Sequence, residues 1–315
     1  MIIWYLVFLC FNVIGLGFSE KYFKKWFDKG YAVSKFLGFL ISGLILWVFS
    51  SIKLIPFTEW SSIIVFFLLL AFSGYRLIKS KFKFTKTMLK EELVFLFIFV
   101  LWNLIKSTNA QVEGTEKFMN IAFMNSINRT EFMPPSDMWF AGSSINYYYI
   151  GHYLYTFVAK IGSIPISFAY NFGLNTIISY GFIASFAIIF QLTKASLKKW
   201  SGVIALMGAT LICFGGNFHY IYKLLEAFIN HENFSYWFPD ATRTIPFVIN
   251  EFPAYSIILG DLHGHFIGFP FLVMMVAFLY NIWHTKFNSK ERVEMMLFLS
   301  VPLVALYGIN SWDFI

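Results

Sequence analysis

The sequence predicts an all-α, polytopic membrane protein of about eight to nine spans. Three observations lead there. Apolar residues make up 58% of the chain and charged residues only 13%, whereas a soluble domain carries about a quarter. Such a chain is too short of charge to cover its surface with polar groups in water. Long runs lack Asp, Glu, Lys and Arg altogether. Between those runs, short basic segments are set against longer acidic ones, which is how loops divide across a bilayer.

The charge-free runs mark the candidate spans. In order they are Met1–Ser19, Phe36–Ile52, Trp60–Tyr75, Leu93–Ile105, Met138–Ala159, Ile161–Thr193, Trp200–Tyr222, Leu262–Thr285 and Met295–Trp312. A span needs about 20 residues, and most runs reach this with their flanks. Leu93–Ile105 does so only if Met88 and Leu89 join it. Met1–Phe18 has no basic start and reads as a first span rather than a cleaved leader. Trp4, Tyr5, Trp60 and Trp200 stand at run ends, where amphipathic rings favour the interface. Inside a bilayer each backbone polar group needs an internal partner, so the runs are expected to be helices. One membrane domain, residues 1–315, accounts for the chain. Its abrupt end after Asn310-Ser-Trp-Asp-Phe-Ile315 reads as the N-terminal part of a longer protein.

The net charge of +7 comes from basic clusters such as Lys21, Lys24, Lys25 and Lys29. These belong to cytoplasmic loops rather than to a nucleic-acid surface. Cys10 and Cys213 lie inside apolar runs and imply no disulfide framework. Two long acidic loops, 106–146 and 219–265, are placed outside by the same rule. Three candidate spans separate them, which would put them on opposite faces. One of the three therefore does not cross, or a short crossing lies hidden. Met138–Ala159 is the weak member, because its first third is polar and Gly-rich.

Chemistry then belongs at the loop–membrane boundary. In the first loop, Glu113, Glu116, Lys117, Glu131 and Asp137 are candidates for acid–base work or metal binding. Pro134-Pro135 fixes a turn that brings Asp137 back toward the membrane. The plain alternative is that they are solvated loop charges. Asn146-Tyr-Tyr-Tyr-Ile-Gly-His152 suits the head of a helix, with Tyr148 and His152 four residues apart on one face. Tyrosines and a histidine there would bind phosphate or sugar hydroxyls, or form an interfacial aromatic belt. In the second loop, Arg243 suits bidentate phosphate binding, and Glu251 precedes Phe-Pro253. Asp261, His263 and His265 alternate. On an extended segment they would face one side as metal ligands, whereas on a helix they would fan out. Gly260-Asp-Leu-His263 also looks like a binuclear metallophosphatase motif. The strand–helix alternation of that fold is absent and the motif order is reversed, so the match is set aside.

At these residues the chain resembles a family of very hydrophobic membrane proteins of archaea and bacteria named for a Tyr-Tyr-Tyr motif. The ordered pieces are Gly114-Thr-Glu-Lys117, Pro134-Pro-Ser-Asp137 through Gly142, and Ile145-Asn-Tyr-Tyr-Tyr-Ile-Gly-His152. They continue with Ala169-Tyr-Asn171, Thr242-Arg243, Asn250-Glu-Phe-Pro253, Leu259-Gly-Asp-Leu-His263 and Asn310-Ser-Trp-Asp313. That family in turn resembles the GT-C glycosyltransferases, multi-span enzymes that take sugars from polyprenyl-phosphate carriers and have a long first external loop. The resemblance implies Glu116 as base or metal ligand, with Glu113 and Asp137 in reserve. It implies Lys117 and Arg243 on the carrier phosphate, with Asn146 and Tyr147 to Tyr149 at the head of the next helix. In the family pattern Pro-Met-Asp follows Glu-Lys. Here Phe118-Met119-Asn120 follows, and a neutral amide takes no proton at neutral pH.

The expected function is therefore transfer of a sugar from a lipid phosphate in the cell membrane, with a divalent metal as the one cofactor the residues would suit. Two other readings stay open. A transporter or flippase would place charged or Gly/Pro-broken positions within its spans. A structural subunit would have no need of dense polar motifs.

Overall fold

A computed structural model describes residues 1–114 and 116–314. Thr115, inside the Gly-Thr-Glu-Lys motif, and the terminal Ile315 lie outside the described residues. Twelve α-helices are present among those described: α1 (Ile2–Ser19), α2 (Tyr31–Ser51), α3 (Glu59–Lys79), α4 (Lys86–Ser107), α5 (Lys117–Arg129) and α6 (Ile150–Ile161). They continue as α7 (Ile166–Thr193), α8 (Ser201–Phe214), α9 (His219–Ile229), α10 (Pro253–Leu259), α11 (Gly264–His284) and α12 (Ser289–Ile309). The one β-type contact among the described residues is an isolated bridge between Ser136 and Ser144. It closes the loop 137–143, which follows Pro134-Pro135.

Helix starts follow local chemistry. Thr58, Thr85 and Asn288 each accept a backbone N–H of the first turn of α3, α4 and α12, satisfying a donor that has no partner in the helix. Pro270 and Pro302 sit inside α11 and α12, as helices in membranes tolerate because neighbouring groups take up the freed carbonyl.

Six helices, α1, α2, α3, α7, α11 and α12, are long and apolar enough to cross a bilayer, or seven if the pair around residue 215 counts as one bent span. That is fewer than the eight to nine expected. Helix α4 has the length, but Lys86, Lys90, Glu91, Glu92 and Lys106 keep it out of that count. The run Trp200–Tyr222 breaks at Gly215-Gly216, and its two halves differ in direction by 76°. The run Met138–Ala159 is no span. Its first half is turns, and α6 has 12 residues, about 18 Å at 1.5 Å per residue, against a ~30 Å hydrocarbon core.

Helix α6 also starts and ends on the same side of the bundle. His152 near its start bonds the carbonyl of Leu262, and Lys160 near its end donates to the carbonyl of Asn128. Tyr170, one turn into α7, then returns to Leu262. Only α7 and α8 therefore lie between the two long loops, and the loops share one face. The basic segments Glu20–Gly30 and Ser80–Thr85 gather at the other end, where Lys21 and Tyr22 reach Glu294.

The core is aromatic. Trp4, Phe8, Phe11, Phe36, Phe39, Tyr155 and Tyr180 are fully buried or nearly so. Phe36 stacks on Tyr180 with ring centres 3.9 Å apart. Trp4 donates its indole N–H to Thr176 at 2.8 Å, which gives a buried polar atom its partner. Large apolar side chains on α3, α4, α8 and α12, among them Trp60, Phe67, Phe97, Leu206 and Val304, point outward. An outward face this apolar is a lipid contact rather than a water-exposed one.

A buried ion pair joins α2 to α4. Lys35 lies 2.9 Å from both oxygens of Glu92, and Tyr31 donates to the same carboxylate at 2.8 Å. Removing one member leaves the other charge buried and unpaired. Lys35→Met should cost about 3–5 kcal/mol, and Lys35→Met with Glu92→Leu should recover most of it. Thermal unfolding in detergent reads both; equal losses in the single and the double variant would mean the pair does not act as a unit.

Candidate functional site

The polar residues of the two long loops meet at one end of the bundle. Gly260 ends α10 in the left-handed conformation, with φ +69°, which an L side chain resists. The chain then runs extended through Asp261 and Leu262 to His263, which caps α11, and His265 follows in the first turn of that helix. The Asp-x-His-x-His segment is thus neither a strand nor a helix. The two imidazoles stay together, with ring centres 5.2 Å apart, while Asp261 gives one oxygen to Asn120 and keeps the other 3.8 Å from His263 Nδ1.

Asp261 is buried and accepts a hydrogen bond from the Asn120 amide at 2.9 Å. Asn120 thus orients Asp261 from the first loop. Tyr170 donates toward the Gly260 carbonyl and accepts from the Leu262 N–H at 2.9 Å, pinning the same segment. Glu251 takes the position beside the histidines that the sequence reading gave to Asp261. Its Oε2 lies 2.8 Å from His265 Nδ1, and Ser256 Oγ lies 2.7 Å from the opposite nitrogen of that ring. Donor atoms of Glu251, His263 and His265 all fall within 4.8 Å of one another.

Glu116 closes the cluster from the first loop. It sits at the head of α5, its side chain is 57% exposed, and its Oε2 is 2.7 Å from His263 Nδ1. Asp261 Oδ2 is 3.8 Å from the same nitrogen. Burial opposes charge on His263. Hydrogen bonding to Asp261 and the fields of Asp261, Glu116 and Glu251 outweigh it and hold its pKa above the usual value. Burial likewise works against the Glu251 carboxylate, but its bond to His265 and the charges of both histidines bring its pKa below the usual range. Asp313 completes the site. Its carboxyl packs against Gly268, where a Cβ would collide with it. Burial raises its pKa against the pull of Asn310 and His265.

The tyrosine run is brought to the same place, in a different form from the one expected. Tyr149 is the residue before α6, so Tyr147 and Tyr148 precede the helix and do not share a face with His152. Their rings lie 3.8 Å apart and their hydroxyls bond. Tyr148 packs on Gly264, between the two histidines. Burial, the Tyr147 hydroxyl, and then the charges of Glu116 and Glu251 push its pKa up, so the hydroxyl stays a donor. Tyr149 instead accepts from Trp47 at 3.1 Å. His152 is buried and ties α6 to Leu262, which gives it a packing role.

Other candidates fall elsewhere. Asp137 accepts the N–H groups of Trp139 and Phe140 at 2.8 and 2.9 Å and so holds its own turn. Arg243 donates to Pro239 and Thr242 within its loop and lies over Trp237. Glu113 and Asn146 are exposed. One cation was missed: Lys106, at the end of α4, reaches Gly260 and lies close enough to Lys117 for the two charges to repel. Its position at the edge of a charge-free run was the available signal.

Two grooves flank the cluster. A cavity of about 640 Å³ is walled by Leu44, Trp47, Tyr147, Tyr148, Val304 and Tyr307, with Asn146 at its rim. A second, of about 250 Å³, is walled by Trp102, Leu174, Ile257 and Ile258, with Lys106 at its mouth.

Fold and site together define a multi-pass helical membrane protein with a polar, histidine- and carboxylate-bearing cluster at one end of the bundle. The family model described as "Uncharacterized membrane protein (DUF2298)" matches residues 41–315, and the chain belongs to that family. No curated protein and no solved structure matches it.

Proposed function

We propose that the chain carries the membrane-embedded site of a glycosyltransferase of GT-C type that takes a sugar from a polyprenyl-phosphate carrier. The observation that carries this reading is the meeting of a carboxylate–histidine cluster with two grooves of different character. A lipid-linked donor needs apolar walls for its tail, a cation for its phosphate and a carboxylate at the reacting carbon. The smaller groove offers apolar walls and Lys106, with Lys117 close by. The larger groove has no Lys or Arg among its lining residues. Its stacked Tyr147 and Tyr148 suit the faces and hydroxyls of sugar rings.

In the reaction so read, an acceptor hydroxyl attacks the anomeric carbon. The bond from that carbon to the phosphate oxygen breaks, and the phosphate leaves toward Lys106 and Lys117. Glu116 takes the hydroxyl proton, and solvent removes it afterwards from this half-exposed carboxylate. The basic loops at the far end would face the cytoplasm, and the site would face outward. Transport of a lipid-linked substrate is the second reading; what favours catalysis over it is that the cluster is confined to one end.

The test is sugar release from radiolabelled polyprenyl-phosphate sugars in proteoliposomes of the full-length protein. Turnover with at least one donor is expected, and no turnover across a broad donor panel would sink the reading. Lys106→Ala should raise KM for the donor by about 10–100-fold, in line with ~1.5–3 kcal/mol for a charged hydrogen bond, with a smaller change in kcat. An unchanged KM would remove Lys106 from phosphate binding.

A further inference from the structure

We propose that Glu251, His263 and His265 hold a divalent transition-metal ion of the zinc type. The inference uses the same site as the transferase reading, but it stands on ligand geometry and is tested by metal content. Two imidazoles and one carboxylate bring donor atoms within 4.8 Å of each other. Around a common ion at ~2.0–2.2 Å those atoms would stand about 3.3–3.5 Å apart. Small rotations about the side-chain bonds close that gap.

Two further features fit a ligand set better than a set of ion pairs. His263 Nδ1 is shut off from solvent and has no hydrogen bond of proper direction, although Glu116 lies 2.7 Å away. Buried polar atoms ordinarily have a directed partner, so this nitrogen is open to a ligand. His265 shows the complementary feature. Its Nδ1 faces Glu251, while its Nε2 bonds Ser256 at 2.7 Å. An outer bond of that kind holds the ring so that its other nitrogen faces the trio. Asp261 is outside the trio: Asn120 holds its Oδ1, and its Oδ2 stands 3.8 Å from His263 Nδ1. Glu116 supplies a fourth oxygen or leaves that position open for substrate. Imidazole nitrogens beside one carboxylate select zinc, cobalt or similar ions over magnesium and calcium, which prefer all-oxygen shells.

The experiment measures metal in the purified full-length protein after zinc loading and exhaustive dialysis. About one zinc per chain is expected in the wild type. Asp137→Asn should keep it, because that carboxylate is turned to its own loop. His263→Ala with His265→Ala should lose it. Ser256→Ala should weaken affinity about 10–100-fold. Cobalt titration of the unmutated protein gives a readout that no folding defect can confuse, and a tetrahedral visible spectrum is expected. A metal-free wild type, a flat cobalt titration, or full retention in the double-histidine variant would each overturn the proposal. Metal bound without turnover would count against the transferase reading alone, and turnover without metal against this one alone.

Discussion

Glu116→Gln should leave the protein folded and inserted but slow sugar transfer by about 10²–10⁴-fold, the range for a positioned acid–base group. The structural cost is small because the side chain is more than half exposed and caps no backbone group of α5. Gln keeps the shape, and loses the ability to take a proton together with the charge that faces His263. The variant should also keep its metal, since Glu116 is outside the trio of Glu251, His263 and His265. That separates a base from a ligand: lost turnover with retained zinc assigns the proton to Glu116, whereas loss of both would make it a metal ligand. Equal turnover in wild type and variant would take Glu116 out of the chemistry and turn attention to Asp261. That residue is another carboxylate near His263, and Asn120 holds it in place.

Much of the architecture was open to inspection in the linear chain, because scarcity of charge is a global property. The ends of α1, α3 and α7 follow where charges and capping residues return. Two runs depart from a continuous helix for a physical reason, and the first was the weak member of the set. A charge-free stretch is not the same as a continuous apolar helix. Between Met138 and Tyr149 the chain spends polar backbone groups on turns, with Ser143 bonding Asp137 and Phe140 and with Gly142 at positive φ. At Gly215-Gly216 the helix gives way, and Phe218 takes a positive φ. Both sites carried turn residues, so the signal was present and outweighed by the count of apolar neighbours.

The site divides in the same way. His263 and His265 are local to one segment, and their spacing was readable. That Glu251 stands beside His265, and that Asn120 from the other loop holds one oxygen of Asp261, depends on how the two loops fold together. Lys106 and Tyr148 reach the cluster through helix packing, which no spacing along the chain encodes. The family pattern's acid at position 120 is an amide here. The fold uses that amide to orient Asp261, so a residue that looked like a loss of function in the sequence has a defined place in the site.

Gly38→Leu should be the most damaging single substitution outside the site, and the reason lies in how α1 meets α2. A Cβ at Gly38 would strike the carbonyl oxygen of Phe11, and one at Gly15 would strike that of Ser34. The obstacles are backbone atoms, so no side chain can swing aside. Small residues at such crossings let helices in a membrane approach closely. The helices would have to separate, and α1 carries Trp4, Phe8 and Phe11 into the aromatic core against α2, α6 and α7. Ordinary overpacking costs ~1–3 kcal/mol. A clash against main chain that displaces a whole helix should exceed that, leaving little monodisperse protein after mild heating in detergent. Gly74 supplies the control. It lies in α3 with nothing within 4 Å of its would-be Cβ, so Gly74→Leu should match or slightly exceed the wild type, by the ~0.5–1 kcal/mol that a helical glycine costs. If Gly38→Leu melts beside Gly74→Leu, the two backbones do not approach as closely as described. The placement of α1 beneath α6, which supports the tyrosine run, would then need revision.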